Sequence, residues 1–208
     1  MKNILIHGLG QNSKDWDTIK DELETKGIFS IAPDLFDLAK GRELDYSTVY
    51  QSFSELCESY QDKLNLCGLS LGGLLALNYA IQYPRKINSL VLIGTPFEIP
   101  KGLLKFQNIV FRFMPKAAFQ NMGVSKKDFI RLSKSMVDLN FMDSAAALDC
   151  PALILCGAKD KTNMESAKRF HEAMKNSKLV IVEASGHEVN KDNPNELVRV
   201  LQDFWADR

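Results

Sequence analysis

The chain has 208 residues, of which 45% are hydrophobic and 25% are charged, with 26 basic and 26 acidic side chains. This length predicts one domain, residues 1–208, that buries a continuous core. A formal charge of zero argues against a nucleic-acid partner, for which the protein would be basic. We recognise no membrane-spanning run and no secretory signal, and therefore expect a cytoplasmic protein without stable membrane insertion.

The four cysteines show neither the paired spacing of a metal site nor the density of a disulfide scaffold. They are Cys57, Cys67, Cys150 and Cys156. We expect packing residues and no metal site. A catalytic thiol at Cys67 is the alternative, although a serine three residues later is the better candidate nucleophile.

Six short runs rich in Ile, Leu and Val alternate with helical patterns along the chain. The predicted strands are 2–7, 28–32, 64–67, 89–93, 152–156 and 178–183. Apolar residues recur at helical spacing in 16–23, 49–60, 71–83, 164–174 and 194–205. Strands that alternate with helices indicate a parallel sheet with right-handed crossovers, so the predicted fold class is a doubly wound α/β sheet.

One segment, residues 97–149, interrupts this alternation before the fifth predicted strand. It is helical in character and contains seven of the twelve phenylalanines and four of the seven methionines. A connection this long inside a compact domain usually has its own structure and a function. We therefore predict a helical lid at 97–149 inserted into a core formed by 1–96 and 150–208.

The strongest local motif is Gly68-Leu69-Ser70-Leu71-Gly72, between a predicted strand and a predicted helix. In this setting Gly-x-Ser-x-Gly forms a sharp turn that exposes the serine hydroxyl above the sheet. Ser70 is therefore the candidate nucleophile. The alternative is that these glycines form only a tight turn or a backbone nest for an anion.

A serine nucleophile needs a base, and the base needs a carboxylate to orient it. Of three histidines, His187 follows the last predicted strand, whereas His171 lies inside a helical pattern and is expected in the core or at its rim. His7 closes the first strand and is expected to hold the next loop by hydrogen bonding. Asp160 lies just beyond the fifth strand. Ser70, Asp160 and His187 thus all follow the carboxyl ends of strands, where ligands bind in open parallel sheets.

These residues, in the order serine, acid, histidine, together with His7-Gly8-Leu9-Gly10, resemble the α/β-hydrolase superfamily over nearly the whole chain. The resemblance implies that Ser70 is the nucleophile, that His187 acts as base and then acid, and that Asp160 orients the imidazole. Typical relatives carry two earlier strands before the equivalent of the first strand here, so we expect about six strands.

The resemblance also implies an oxyanion hole formed by the backbone N–H groups of Leu9 and Leu71. It leaves a second position for the acid, because some relatives place it after the preceding strand, which corresponds here to Glu98. Asp160 is favoured because a helix follows and can support it.

The expected reaction is acyl transfer from a small-molecule ester to water, without a cofactor. Abundant Phe and Met in the lid predict an apolar pocket for an acyl or aromatic group, although many of these side chains must simply pack the lid. The candidate pocket residues are Phe97, Phe111, Met114 and Phe141. Six basic and no acidic residues lie between 99 and 127, which allows weak contact of the lid with an anionic interface.

Other functions fit the same residues. A thioesterase, a C–C bond hydrolase, an aminopeptidase and an acyltransferase would all use this triad. A non-catalytic receptor for a small ligand would keep the pocket but would not need an intact triad. The sequence indicates no oligomeric state.

Overall fold

The computed structural model describes residues 1–96, 119 and 124–206. Its centre is one six-stranded, all-parallel sheet in the order β2-β1-β3-β4-β5-β6. The strands are β1 (Lys2–Ile6), β2 (Ser30–Ile31), β3 (Leu64–Leu69), β4 (Ile87–Ile93), β5 (Ala152–Gly157) and β6 (Ser177–Val182). The predicted doubly wound α/β fold and its six strands are confirmed.

Helices connect consecutive strands, and two more follow the last strand. They are α1 (Asp17–Thr25), α2 (Leu35–Leu38), α3 (Tyr46–Glu58), α4 (Leu71–Gln82), α5 (Lys126–Ser135), α6 (Met142–Ala145), α7 (Met164–Ala173), α8 (Val189–Asp192) and α9 (Pro194–Ala206), with 3₁₀ turns at Ser13–Trp16 and Pro84–Lys86. The sequence patterns did not predict α2 and α8, because four residues are too few to show helical periodicity. Helix α2 begins where the Asp34 carboxylate accepts hydrogen bonds from the N–H groups of Phe36 and Asp37.

The strands bury both faces, and their side chains alternate between two hydrophobic clusters. In β1, Ile4 and Ile6 belong to the cluster that also contains residues of α3, α4 and α7, whereas Leu5 belongs to the cluster that also contains residues of α1 and α9. The sheet is therefore covered by helices on both sides, as its apolar strand sequences require.

Helices α5 and α6 lie between β4 and β5, where the helical insertion was predicted. Phe129 and Leu132 of α5 and the next residue after the helix, Met136, are buried in the cluster that also contains residues of α3 and α4. The N–H of Tyr46 donates to Ser135 Oγ at 2.7 Å, which attaches α5 to the start of α3. These residues of the predicted insertion thus pack onto the core.

Much of the predicted basic stretch lies outside the described residues, which include only Lys126 and Lys127 of its six cations. Lys126 Nζ lies 5.8 Å from the centroid of the Phe119 ring. Contact with an anionic interface stays a prediction. Within the described ranges, no helix has the length and apolar character needed to cross a membrane.

Candidate active site

The predicted site residues follow the carboxyl ends of strands that run in one direction. Ser70 comes directly after β3, Asp160 follows β5 and His187 follows β6. Since every neighbouring pair of strands is parallel, these ends lie along one edge of the sheet. This is the edge at which ligands bind in open α/β sheets.

Ser70 occupies a strained turn between β3 and α4. Its φ of 52° and ψ of −109° are uncommon for a residue with a side chain. A Cβ built on Gly68 would overlap the carbonyl group of Gly72, and one built on Gly72 would overlap the carbonyl oxygen of Ile6. Both positions need glycine because α4 begins in direct contact with β1 and β3. The turn is the one expected of Gly-x-Ser-x-Gly.

Asp160 and His187 form a hydrogen-bonded pair. His187 Nδ1 lies 2.7 Å from Asp160 Oδ2, a short distance typical of a bond to a carboxylate. The Asp160 side chain is 5% exposed and that of His187 is 41% exposed. A donor at Nδ1 leaves the lone pair of the neutral ring at Nε2, so the imidazole is held in the tautomer that can accept a proton there.

A second residue holds the Asp160 carboxylate, and the sequence analysis did not identify it. Asn163 Nδ2 donates to Asp160 Oδ1 at 3.0 Å and to Oδ2 at 2.9 Å, and the Asn163 N–H donates to Oδ1 at 3.2 Å. Asn163 precedes α7, but its side chain does not cap that helix. Burial raises the pKa of Asp160, but the hydrogen bonds from His187 and Asn163 outweigh this effect and hold the pKa below its ordinary value.

The end of β4 lies between Ser70 and this pair. The Ser70 N–H donates to the carbonyl oxygen of Ile93 at 2.9 Å. The next residue, Gly94, has φ of 51°, and a Cβ built on it would lie 3.0 Å from His187 Nδ1 and 3.2 Å from Asp160 Oδ2. Gly94 therefore adjoins His187 and Asp160, and the residue before it, Ile93, bonds the backbone of Ser70.

The loop after β1 lies against Ser70. A Cβ built on Gly8 would lie 3.5 Å from the Cβ of Ser70, which places the following residue, Leu9, beside the nucleophile turn. Leu71 is the first residue of α4, where backbone N–H groups have no acceptor inside their own helix. The two predicted oxyanion donors thus come from segments that flank Ser70.

The buried ring of His7 supports this loop. Its Nδ1 lies 3.0 Å from the carbonyl oxygen of Gly8, and its Nε2 accepts a hydrogen bond from the N–H of Leu35 at 3.0 Å. These partners require a neutral ring that donates from Nδ1. Burial lowers the pKa of His7, which favours the same neutral form.

The competing chemical groups lie elsewhere. Cys67 is fully buried inside β3, and burial raises the pKa of its thiol, which disfavours the nucleophilic thiolate. His171 is exposed on α7, with Nδ1 2.9 Å from Ser177 Oγ, so it is not a core residue. Among residues 1–96, 119 and 124–206, no group of three His, Cys, Asp or Glu side chains is arranged to hold a metal ion.

Most of the predicted pocket lies outside the described residues. This applies to Phe97, Phe111 and Met114, and also to Glu98, the alternative acid. Phe141 is half-buried at the start of α6 and packs against the cluster that contains α4. The pocket assignment stays a prediction.

Comparison with known proteins is decisive for the family. Residues 4–141, more than half of the chain, match the family described as the alpha/beta hydrolase fold. The chain belongs to the α/β-hydrolase family. The matched range includes Ser70 and the His7 loop, whereas Asp160 and His187 lie beyond it and rest on the geometry above.

Similar members of the α/β-hydrolase family differ in the activity named for them. A putative 2-succinyl-6-hydroxy-2,4-cyclohexadiene-1-carboxylate synthase of Bacillus subtilis is 23% identical, and the match covers 97% of this chain and 89% of that protein. Lipase 3 of a Moraxella species is 26% identical, with 93% and 75% covered. A carboxylesterase structure from Nitrososphaera gargenis superposes with a TM-score of 0.85 at 20% identity, covering 99% of this chain and 90% of that one. These likenesses support a hydrolase without defining its substrate.

Proposed function

We propose that this protein is a serine hydrolase that cleaves carboxylic esters through a Ser70–His187–Asp160 triad. The observation that carries the proposal is the pairing of His187 with Asp160 at the carboxyl edge where Ser70 occupies a strained turn. A backbone strain at one serine and a tautomer-selecting carboxylate at a nearby histidine are both costly features that a simple turn would not need.

The proposed reaction proceeds through an acyl-enzyme. The Ser70 hydroxyl attacks the carbonyl carbon of the ester, and His187 Nε2 takes the hydroxyl proton. His187 then donates this proton to the leaving alcohol as the C–O bond breaks. Water, deprotonated by His187 in the same way, attacks the acyl carbon. The bond between this carbon and Ser70 Oγ then breaks, the acid is released, and His187 returns the proton to Ser70. Asp160 stays ionised throughout and stabilises the imidazolium that forms.

Charge on the carbonyl oxygen develops during both attacks. The N–H groups of Leu9 and Leu71 are the proposed donors to this oxyanion. Removing one donor of such a pair typically lowers kcat by about 10²–10³-fold. The loop after β1 and the start of α4 would therefore contribute to catalysis through the backbone, without any titratable side chain.

The proposed substrate is a small ester with an apolar acyl or aromatic group. The Phe and Met content of 97–149 and the esterases and lipase among similar proteins support this choice. A p-nitrophenyl ester series of increasing acyl length, measured beside matched thioesters, tests both the bond and the pocket. We expect ester turnover to exceed thioester turnover and to increase with acyl length. Higher turnover of the thioesters than of the matched esters would identify a thioesterase.

The nucleophile is tested with Ser70→Ala and a matched control. We expect Ser70→Ala to lower kcat for a p-nitrophenyl ester by at least about 10⁴-fold and to abolish labelling by a fluorophosphonate. Cys67→Ala, which removes the other candidate nucleophile, should retain both. The absence of a fluorophosphonate adduct on the wild-type protein would refute the proposed enzymatic function and favour a receptor for a small ligand.

The acid is tested by comparing its two candidates. Asp160→Asn should lower kcat by about 10³–10⁴-fold, because the amide cannot select the Nδ1–H tautomer of His187. Glu98→Gln should have little effect. The opposite order would move the acid to the segment after β4.

A further inference from the structure

A buried polar cluster joins the proposed oxyanion loop to the segment that carries His187. At its centre are Gln11, which is 2% exposed, and Asn190, which is 3% exposed. Gln11 belongs to the loop after β1, whereas Asn190 lies in α8, three residues beyond His187. Neither residue belongs to the triad, and buried amides of this kind persist only where their hydrogen bonds are made.

One side of the Gln11 amide holds the oxyanion loop. The Gly8 N–H donates to Gln11 Oε1 at 3.5 Å, and the Gln11 backbone N–H donates to the carbonyl oxygen of Gly8 at 3.2 Å. Gly8 and Gln11 are therefore hydrogen-bonded to each other across Leu9, whose N–H is a proposed oxyanion donor.

The other side of the same amide holds the histidine segment. Gln11 Nε2 donates to Glu188 Oε1 at 2.8 Å and to Asn190 Oδ1 at 3.1 Å, so both of its hydrogens are used. Asn190 Nδ2 in turn donates to the carbonyl oxygen of Asp15 at 3.0 Å. Glu188 directly follows His187, and its carboxylate is therefore fixed from the oxyanion side.

A surface ion pair closes the cluster. Lys191 Nζ lies 2.9 Å from Asp15 Oδ1 and 3.2 Å from Glu188 Oε1. Its ammonium group balances the Glu188 carboxylate, so the Gln11 amide bonds to an acceptor whose charge is compensated. Exposed ion pairs contribute little by themselves, and the buried amides are the larger constraint.

We propose that Gln11 is a positioning residue, which sets the distance between the oxyanion donor at Leu9 and the base at His187. The proposal rests on the hydrolase function above. The two segments are more than 170 residues apart in sequence and follow different strands, β1 and β6. The amide plane of Gln11 is rigid, and it bonds both segments. Its oxygen accepts from Gly8 at 3.5 Å and from Asn190 Nδ2 at 3.4 Å, and its nitrogen donates to Glu188 and Asn190, so the amide fixes their separation. Misplacement of reacting groups by about 1 Å can lower a rate by about 10²-fold.

The test compares Gln11→Leu with a matched control, Asn65→Leu. Leucine removes the Gln11 amide at similar volume. Asn65 is also a buried amide, 5% exposed, which donates to Asn3 Oδ1 at 2.7 Å and accepts from Ser89 Oγ at 2.7 Å. It lies at the start of β3, at the sheet edge opposite Ser70. Both variants therefore lose a buried amide network, but only one borders the site.

The kinetic constants and Tm together distinguish a positioning role of Gln11 from a role in packing alone. For Gln11→Leu we expect kcat for a p-nitrophenyl ester to fall about 10–100-fold with KM changed less than about threefold, because the ground-state contacts are kept. Binding of a boronic acid, which mimics the tetrahedral intermediate, should weaken by the same factor as kcat. Asn65→Leu should lower Tm comparably and leave kcat within about twofold. Equal kcat values for the two variants would overturn the proposal.

A readout that does not depend on activity distinguishes the two proposals. The proton NMR signal of the His187 ring, assigned with His187→Gln, should shift in Gln11→Leu and stay in place in Asn65→Leu. If wild-type protein hydrolyses no ester and forms no fluorophosphonate adduct, the proposed function fails. Coupling of Gln11 to His187 is then judged by this signal alone, and an unshifted signal would refute it.

Discussion

Substitution of Gly94 by alanine should separate backbone strain from damage to the site. Gly94 has φ of 51°, in the left-handed region where a residue with a side chain costs about 1–2 kcal/mol. Gly41 has φ of 82°, and a Cβ built there has no heavy atom within 4 Å, so Gly41→Ala carries the backbone cost without the contact. For a chain of this length we expect Gly41→Ala to lower Tm by about 2–8 °C.

The additional effect at Gly94 follows from its neighbours. The new Cβ would lie 3.0 Å from His187 Nδ1, whereas an unstrained contact needs about 3.5–4.0 Å. Asp160 cannot move away from the new Cβ, because it is buried and hydrogen-bonded to Asn163. The half-exposed His187 ring must therefore move by about 0.5 Å, which lengthens its 2.7 Å bond to the carboxylate.

A displacement of this size should lower kcat by about tenfold or more. The assay is p-nitrophenyl ester turnover of Gly94→Ala and Gly41→Ala at pH 7, with Tm measured on the same preparations. We expect both variants to lose Tm and only Gly94→Ala to lose kcat with KM nearly unchanged. Parallel loss of kcat in both variants would refute the reasoning, because the activity would then follow stability and not the contact with His187.

Two further predictions concern stability and pH. Asn163→Leu removes two hydrogen bonds that hold the pKa of Asp160 below its ordinary value of about 3.9. At pH 7 the free energy of unfolding in urea should therefore be about 1.5–3 kcal/mol lower than in wild type, and this difference should shrink as pH falls below that ordinary value towards the lowered pKa. A difference independent of pH would contradict this cause. His7 has a lowered pKa because it is buried, so the unfolded chain binds more protons below about pH 6.5 and wild-type stability should fall from pH 7 to pH 5.5. His7→Gln, which can donate and accept without titrating, should flatten this slope, and an unchanged slope would exclude His7 as its source.

The regular elements were predictable because both faces of the sheet are covered. Strand β5 is a continuous apolar run ended by glycine, and β3 is an apolar run interrupted only by Asn65 and Gly68. Helices such as α1 and α9 show apolar residues at helical spacing. The short elements α2 and α8 were not predictable. Helix α2 depends on the Asp34 cap and α8 on contacts with distant residues, and neither leaves a periodic pattern.

The candidate nucleophile and base were recognisable because their chemistry demands a local setting. Ser70 needs glycines on both sides, and His187 must follow a strand end, so both leave a signature of a few residues. Asn163 and Gln11 leave none. An asparagine three residues after an aspartate usually signals a turn or a cap, and a glutamine in a loop usually faces solvent.

The sequence by itself therefore determined the sheet, the family and the order of serine, acid and histidine, because strand periodicity and the Gly-x-Ser-x-Gly turn are short-range properties of the chain. Only the tertiary structure decided which polar side chains converge on that edge. Asn163 donates hydrogen bonds to the Asp160 carboxylate, and Gln11 connects the segments around Leu9 and His187. The Gln11 bonds join residues far apart in sequence, and the Asn163 bonds, although local, act on the site only because the segment after β6 brings His187 to Asp160. Both arrangements depend on the relative placement of whole strands, and no local pattern encodes that placement.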